Sequence, residues 1–251
     1  SDSITEIGAS AFSGCKNLSA FKLPPNITTL GGWVFSGCES LKEIYIPKTI
    51  EDGWRAFSDS NIETAEFEEG ITKIPNRIFL EATKLKNVKM PDTVTEFEDG
   101  TFESCTSLET IKIPEFVTKI GESAFKDTKY LESVTIPNVT VIGAGAFANT
   151  ARLESIELPA VTEIGASAFA RAQKLETVTM PSVVTIGASA FEHTLVEDVT
   201  LPATITSIGS RAFVGKPNGK RELHITIETA TPPTIDGSFA THADAYVKVP
   251  D

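Results

Sequence analysis

Glu109, Glu132, Glu154, Glu176 and Glu197 recur every 21 to 23 residues, each directly after a Leu or Val. If equivalent positions stack, five carboxylates stand in single file about 5 Å apart. Like charges facing one another along a sheet are destabilising. Two readings are open: a solvated acidic face, which is the ordinary fate of a charge run, or a docking strip for a basic partner. A calcium strip fits less well, because calcium takes about six to eight converging oxygens and one column supplies a single file.

Trp33 and Trp54 are the second chemical feature. They stand just before Phe35 and Phe57, where other turns carry Ser, Ala, Glu or Arg, so partial exposure is expected. As a pair they either anchor a partner, as exposed Trp does at interfaces, or shield the irregular turns around Gly32 and Gly53. Tyr45 joins the candidates because it falls in a column expected to be exposed: Lys22, Tyr45, Glu66, Lys89, Lys112, Thr135, Glu157, Thr179, Thr200. A parallel column is small and polar, including Thr110, Ser133, Ser155 and Thr177. Such a floor is flat and accessible, and suits a protein or glycan better than a drug-sized molecule, which prefers an apolar pocket.

Other candidate chemistry is thin. Cys15, Cys38 and Cys105 each follow their Phe by three residues. Cys15 and Cys38 therefore stack on adjacent turns, where a disulfide or a ladder of free thiols acting as small apolar residues is possible. His193, His224 and His242 lie on different turns without metal-ligand spacing. The segment 215–220, Gly-Lys-Pro-Asn-Gly-Lys, only faintly resembles a phosphate loop: it lacks the following Ser or Thr and precedes a strand. Asn26-Ile27-Thr28 and Asn138-Val139-Thr140 match a glycosylation acceptor pattern, a match that V-T-rich repeats produce by coincidence. No catalytic, cofactor-binding or metal residues are expected.

The elements that must position these residues follow from one repeat. Phe recurs at 12, 35, 57, 79, 102, 125, 147, 169, 191 and 213, with Phe239 after a longer gap, and Pro recurs at 24, 47, 91, 114, 137, 159, 181 and 202. The unit reads I-G-x-x-A-F, five residues, then L-x-x-[IV]-x-[ILM]-P, then a V-T-x-I stretch back to the next I-G. Alternation in stretches such as Leu175 to Pro181 predicts a half-buried strand, closed by Pro because Pro cannot donate to a ladder. V-T-x-I predicts a second, shorter strand. The Gly suits a tight turn with an unusual backbone angle. The A-x-A-F segment is too short for an independent helix, and one helical or 3-10 turn is expected. A single unit cannot bury its apolar face; stacked copies can, Phe on Phe and Leu on Leu. Eleven turns would make a rod or arc roughly 50 Å long.

This pattern resembles the BspA-like (Treponema pallidum type) leucine-rich repeats of bacterial surface proteins. The expected fold is a strand-rich α/β leucine-rich-repeat solenoid of about eleven turns of 22–23 residues. It has a parallel sheet on one face, short helical or 3-10 turns and short strands on the other, and a single domain over residues 1–251. Two turns depart from the pattern: Glu68 stands where Pro is expected, and Phe97-Glu98-Asp99-Gly100 replaces I-G. The chain reads as cut from something longer, since a repeat is already in progress at Thr5.

Composition is that of a folded protein, 41% hydrophobic and 22% charged, with a net charge of -12. The acidic balance makes nucleic acid and membrane surfaces poor partners, and no apolar run is long enough for membrane insertion. The resemblance implies an extracellular or bacterial cell-surface location and a non-catalytic recognition or adhesion role, with a host or bacterial surface protein or glycan as partner. The alternative is a structural spacer that carries other domains on the cell surface.

Overall fold

A computed structural model describes residues 2–215, 223–229, 231–238 and 245–248. Lys216–Lys220 of the expected loop, Phe239, His242 and Pro250 lie outside the described residues. One core cluster runs from Ile7 to Ile227. Ten phenylalanines, Phe12 to Phe213, form a continuous stack with ring centroids 5.1–5.7 Å apart between successive coils. The eleventh coil is traced by the strands Thr234–Ile235 and Ala245–Lys248.

Each coil has three sides. The long strands, Glu43–Ile46 through Asp198–Leu201 and Leu223–Ile227, alternate exposed and buried residues, as in Asp198–Leu201. Their buried members (Ile44, Ile111, Ile156, Val178 and Val199 among them) enter the core. The chain then turns. The carbonyl of Pro47, Pro114 or Pro202 accepts from the N–H three residues on, at 3.1–3.2 Å. Only that carbonyl is required, so Glu68 replaces Pro without disturbance and accepts from Ile71 at 3.4 Å.

The short strands form the most continuous layer. Eight two-residue strands, from Lys73–Ile74 to Thr234–Ile235, pair in one sheet, all parallel and in register, for example Ile142 with Ile164 and Ile164 with Ile186. A threonine ladder runs beside it. The hydroxyls of Thr95, Thr140 and Thr162 each donate to the carbonyl one coil back, at 3.1–3.2 Å. The long strands were expected to make the main sheet. They are also parallel but divide into four smaller sheets of two or three strands. One break falls between Asn87–Lys89 and Thr110–Lys112, neighbours in the stack that share no sheet.

The third side corrects the expected helical turns: among the described residues there is no helix. The arc is a run of hydrogen-bonded turns. Two residues per coil adopt left-handed backbone, such as Ser167 (φ 57) and Arg171 (φ 59), or Gly145 (φ 62) and Asn149 (φ 60). Left-handed residues of this kind cannot continue a right-handed helix. Alternate N–H groups donate along the solenoid: Gly145 to Ala166, Phe147 to Ala168 and Asn149 to Ala170, at 2.7–2.9 Å. The N–H groups between them close local turns, as Ala146 does to Gly143 and Ala148 to Gly145. All five of these backbone donors are satisfied without a helix.

The repeated Gly serves a different purpose from the one expected. Gly143, Gly165 and Gly187 do not have left-handed backbone; a Cβ on them would sit 2.4–2.6 Å from the backbone of the preceding coil. They are there so that coils can approach closely. The coil that reads Phe97-Glu98-Asp99-Gly100 has no Gly in that slot, and Phe97 is buried against Phe102 at 5.7 Å instead.

Candidate functional site

The long strands present their outward side chains on one face, with Glu109, Glu132, Glu154 and Glu176 exposed and Glu197 half-buried. The five lie on successive coils, as the spacing implied, but they are not an unopposed ladder. Basic residues immediately before the strand Leu reach back one coil: Arg152 pairs with Glu132 at 3.0 Å and Lys174 with Glu154 at 3.0 Å. Neither was picked out by reading the strand columns alone. The signal for them was a basic residue directly before Leu153 and Leu175, one coil after a Glu. Glu109 and Glu176 have no ion pair among the described residues.

The face changes character along its length. Toward the N-terminus charges alternate and neutralise. Glu63 sits between Lys42 at 3.2 Å and Lys86 at 2.8 Å, and Glu66 meets Lys89 at 3.3 Å. The hydrogen bonds from Lys86 and Lys42 hold the Glu63 carboxyl below its ordinary range. Tyr45 stands here, 47% exposed, beside Glu66 and Lys89. Lost solvation, then the charges of Glu68, Glu66 and Glu69, push its phenol up. Beyond the sheet break the acids outnumber the bases.

Trp33 and Trp54 lie on the arc side, away from the glutamates. Their rings meet edge to face at 5.6 Å and 90°. The Arg55 guanidinium lies 5.4 and 5.5 Å from the two rings and pairs with Glu81 at 2.7 Å. Trp54 also covers Gly32: a Cβ there would be 3.5 Å from its ring. Trp33 is half-buried and Trp54 44% exposed. The pair is thus locked into the scaffold while keeping one exposed ring, and the structure does not bring it together with Tyr45 or the acidic column.

The cysteines are free; Cys15 is exposed, Cys38 and Cys105 are buried. Cys38 donates to the Phe12 carbonyl at 3.1 Å and Cys105 to that of Phe79 at 3.2 Å. Burial pushes both thiols up, which disfavours the reactive thiolate. Thr128 fills the same slot and donates to Phe102 at 2.9 Å, so the position asks for a small donor. His193 lies 3.6 Å from Glu192 and His224 3.4 Å from Asp198, on separate coils. Among the described residues no group of three or more His, Cys, Asp or Glu could hold a metal ion, and no helix is long and apolar enough to cross a membrane. The Asn26 and Asn138 amides donate one coil back, to Asp2 at 2.7 Å and Glu115 at 2.9 Å.

Sequence-family comparison matches residues 1–109 and 96–220 to the BspA type leucine rich repeat region, in six copies. Among solved structures, a leucine-rich repeat protein of Bacteroides ovatus superposes with a TM-score of 0.69 at 24% identity. The match covers 93% of this chain and 60% of that one. A leucine rich cell surface protein of Faecalibacterium prausnitzii gives 0.52 at 24% identity, over 99% and 77% of the two chains. A leucine-rich repeat protein of Eubacterium ventriosum gives 0.52 at 20% identity, over 86% and 82%. No curated protein matches the chain.

Proposed function

From the premise that the chain belongs to the BspA-type leucine-rich repeat family, we propose that it is a non-catalytic recognition module at the bacterial cell surface. It binds a basic protein partner across the exposed long-strand face. The observation that carries this reading is the run of five glutamates on successive coils, two of which, Glu109 and Glu176, have no ion pair among the described residues. Surface carboxylates steer a positive partner and sharpen specificity more than they add affinity. The binding is therefore salt-sensitive. Support for the location comes from the Faecalibacterium structure, itself described as a cell surface protein. The continuous eight-strand ladder favours a second role, that of a stiff spacer holding other domains apart; the two roles are compatible.

The test is binding of a deca-lysine peptide to two charge-matched double variants. Glu109→Lys with Glu176→Lys reverses the long-strand face. Glu122→Lys with Glu163→Lys makes the same change in net charge on the other sides of the coil. The first is expected to abolish peptide binding at moderate salt and the second to retain it. Equal behaviour of the two variants would reject the face as the binding site.

A further inference from the structure

Beside the break in the long-strand layer between Asn87–Lys89 and Thr110–Lys112 lies an open recess of about 740 Å³. Its floor and walls are polar, including Asn87, Ser107, Glu109 and Thr110, with Lys84 and Tyr130 also lining it. Ser107, Lys84 and Tyr130 occupy the same position of three successive coils, directly before the strand Leu. The small residue in the middle makes the gap. Its hydroxyl is turned down one coil, donating to the Thr83 carbonyl at 2.6 Å.

Tyr130 is 44% exposed. The Arg152 guanidinium, from the coil on the C-terminal side, lies 4.3 Å from its ring centroid and is held by Glu132 at 3.0 Å. The ring is therefore fixed from one side, and its other face is turned toward the recess formed by the two preceding coils. A pre-positioned aromatic wall lowers the ordering cost of binding. Lys84, on the opposite wall, is exposed and has no ion pair among the described residues.

We propose that this recess binds a short acidic glycan, a pyranose chain carrying a carboxylate. Stacking puts the weakly positive C–H face of one sugar against the electron-rich face of Tyr130. The sugar hydroxyls then meet the Asn87 amide, the Thr110 hydroxyl and the Glu109 carboxylate, a mixed donor and acceptor set that matches hydroxyls, which both donate and accept. The uronate carboxylate pairs with Lys84. The neighbouring Lys86 is already engaged by Glu63 at 2.8 Å, so Lys84 is the cation available. An apolar peptide side chain fits less well, because it would desolvate these polar groups without pairing them. The inference rests on the reading that the long-strand face is the binding face; it adds, at the Lys84 end of that face, a subsite of opposite charge preference to the glutamate run that meets the basic partner, with Glu109 meeting only sugar hydroxyls.

Titration calorimetry with a hyaluronan tetrasaccharide, in which glucuronate alternates with N-acetylglucosamine, tests the proposal beside neutral cellotetraose. The parent chain is expected to bind the acidic sugar at least about tenfold more tightly than the neutral one, and Lys84→Ala to erase that difference. Tyr130→Ala and Ser107→Tyr should each weaken hyaluronan binding by about tenfold or more. Ser107→Tyr fills the gap with the residue that the next coil already carries at that position, so its fold is expected to stand, checked by circular dichroism. Absence of hyaluronan binding, equal binding of cellotetraose, or unchanged binding by Ser107→Tyr overturns the proposal. The deca-lysine peptide is the separate control. If it still binds through Glu109 and Glu176 while the sugars do not, the glycan subsite fails and the broader reading stands; if neither binds, both fail.

Discussion

The arc and short-strand sides of each coil are nearly invariant, whereas the long-strand side varies from coil to coil. On the invariant sides the backbone itself makes the contacts. Alternate arc N–H groups donate to the next coil at 2.7–3.4 Å, short strands pair in an eight-strand sheet, and threonine hydroxyls reach the carbonyl one coil back. There a side chain is chosen for what it permits: no Cβ at Gly165, a small donor at Cys105 or Thr128, a ring at Phe147. On the long-strand side the layer is interrupted and the outward side chains are free of that duty. The lesson is that the regular sides maintain the spacing of the coils and the irregular side carries specificity. The glutamates, Tyr130, Arg152 and Lys84 all lie on the irregular side.

The comparison breaks first at the Phe stack. Phe147 is fully buried, with neighbours at 5.1 and 5.2 Å. Phe147→Ala is expected to cost about 3–5 kcal/mol, read as a shift of the urea midpoint, whereas Tyr130→Ala on the exposed face should stay near the surface norm of about 0.5 kcal/mol. A cost for Tyr130 that matched Phe147 would erase the distinction between the two sides. The second break is at the close-approach glycine. A Cβ at Gly165 would lie 2.6 Å from the Ala144 nitrogen, so Gly165→Val should cost about 1–3 kcal/mol through forced separation of the coils; thermal unfolding measures it.

The smallest effect is drawn out by acid. Glu96, on the short-strand side, bridges Lys119 at 2.6 Å and Lys73 at 3.0 Å. Its carboxyl is held below the ordinary range, first by the hydrogen bond from Lys119, with Lys73 adding to it and burial opposing. A lowered folded-state value means the contribution is fully present above the unfolded value of about 4.3 and is lost as pH falls through the folded one. Glu96→Gln should therefore lower stability slightly at neutral pH and by less at about pH 3, below the unfolded value, the difference vanishing only below the folded one. Urea titrations at both pH values read the difference.

Much of this was legible in the sequence because the invariant sides repeat. Phe and Pro spacing predicted the solenoid, the buried ring stack and strands ending at Pro. The arc was misread for a physical reason. A-S-A-F is composed of tolerable helix formers, and nothing in Ser167 or Arg171 announces left-handed backbone, which the neighbouring coil's hydrogen bonds impose. The glycine was misassigned for a similar reason, since close approach and unusual φ both select Gly. On the variable side, most residues of the expected outward columns are exposed, while Glu63, Thr64 and Glu197 are half-buried. Arg152, Lys174 and Tyr130 escaped because they precede the strand Leu and act diagonally across coils.

The arc, though neither helix nor strand, is hydrogen-bonded coil to coil and should hold as firmly as the short-strand sheet. Native-state amide hydrogen exchange tests it directly. Strong protection is expected of the Gly145, Phe147, Asn149, Ser167 and Phe169 amides, comparable to that of Ile142 and Ile164. Exchange of those arc amides at the rate of an exposed loop, with the short strands still protected, would contradict it.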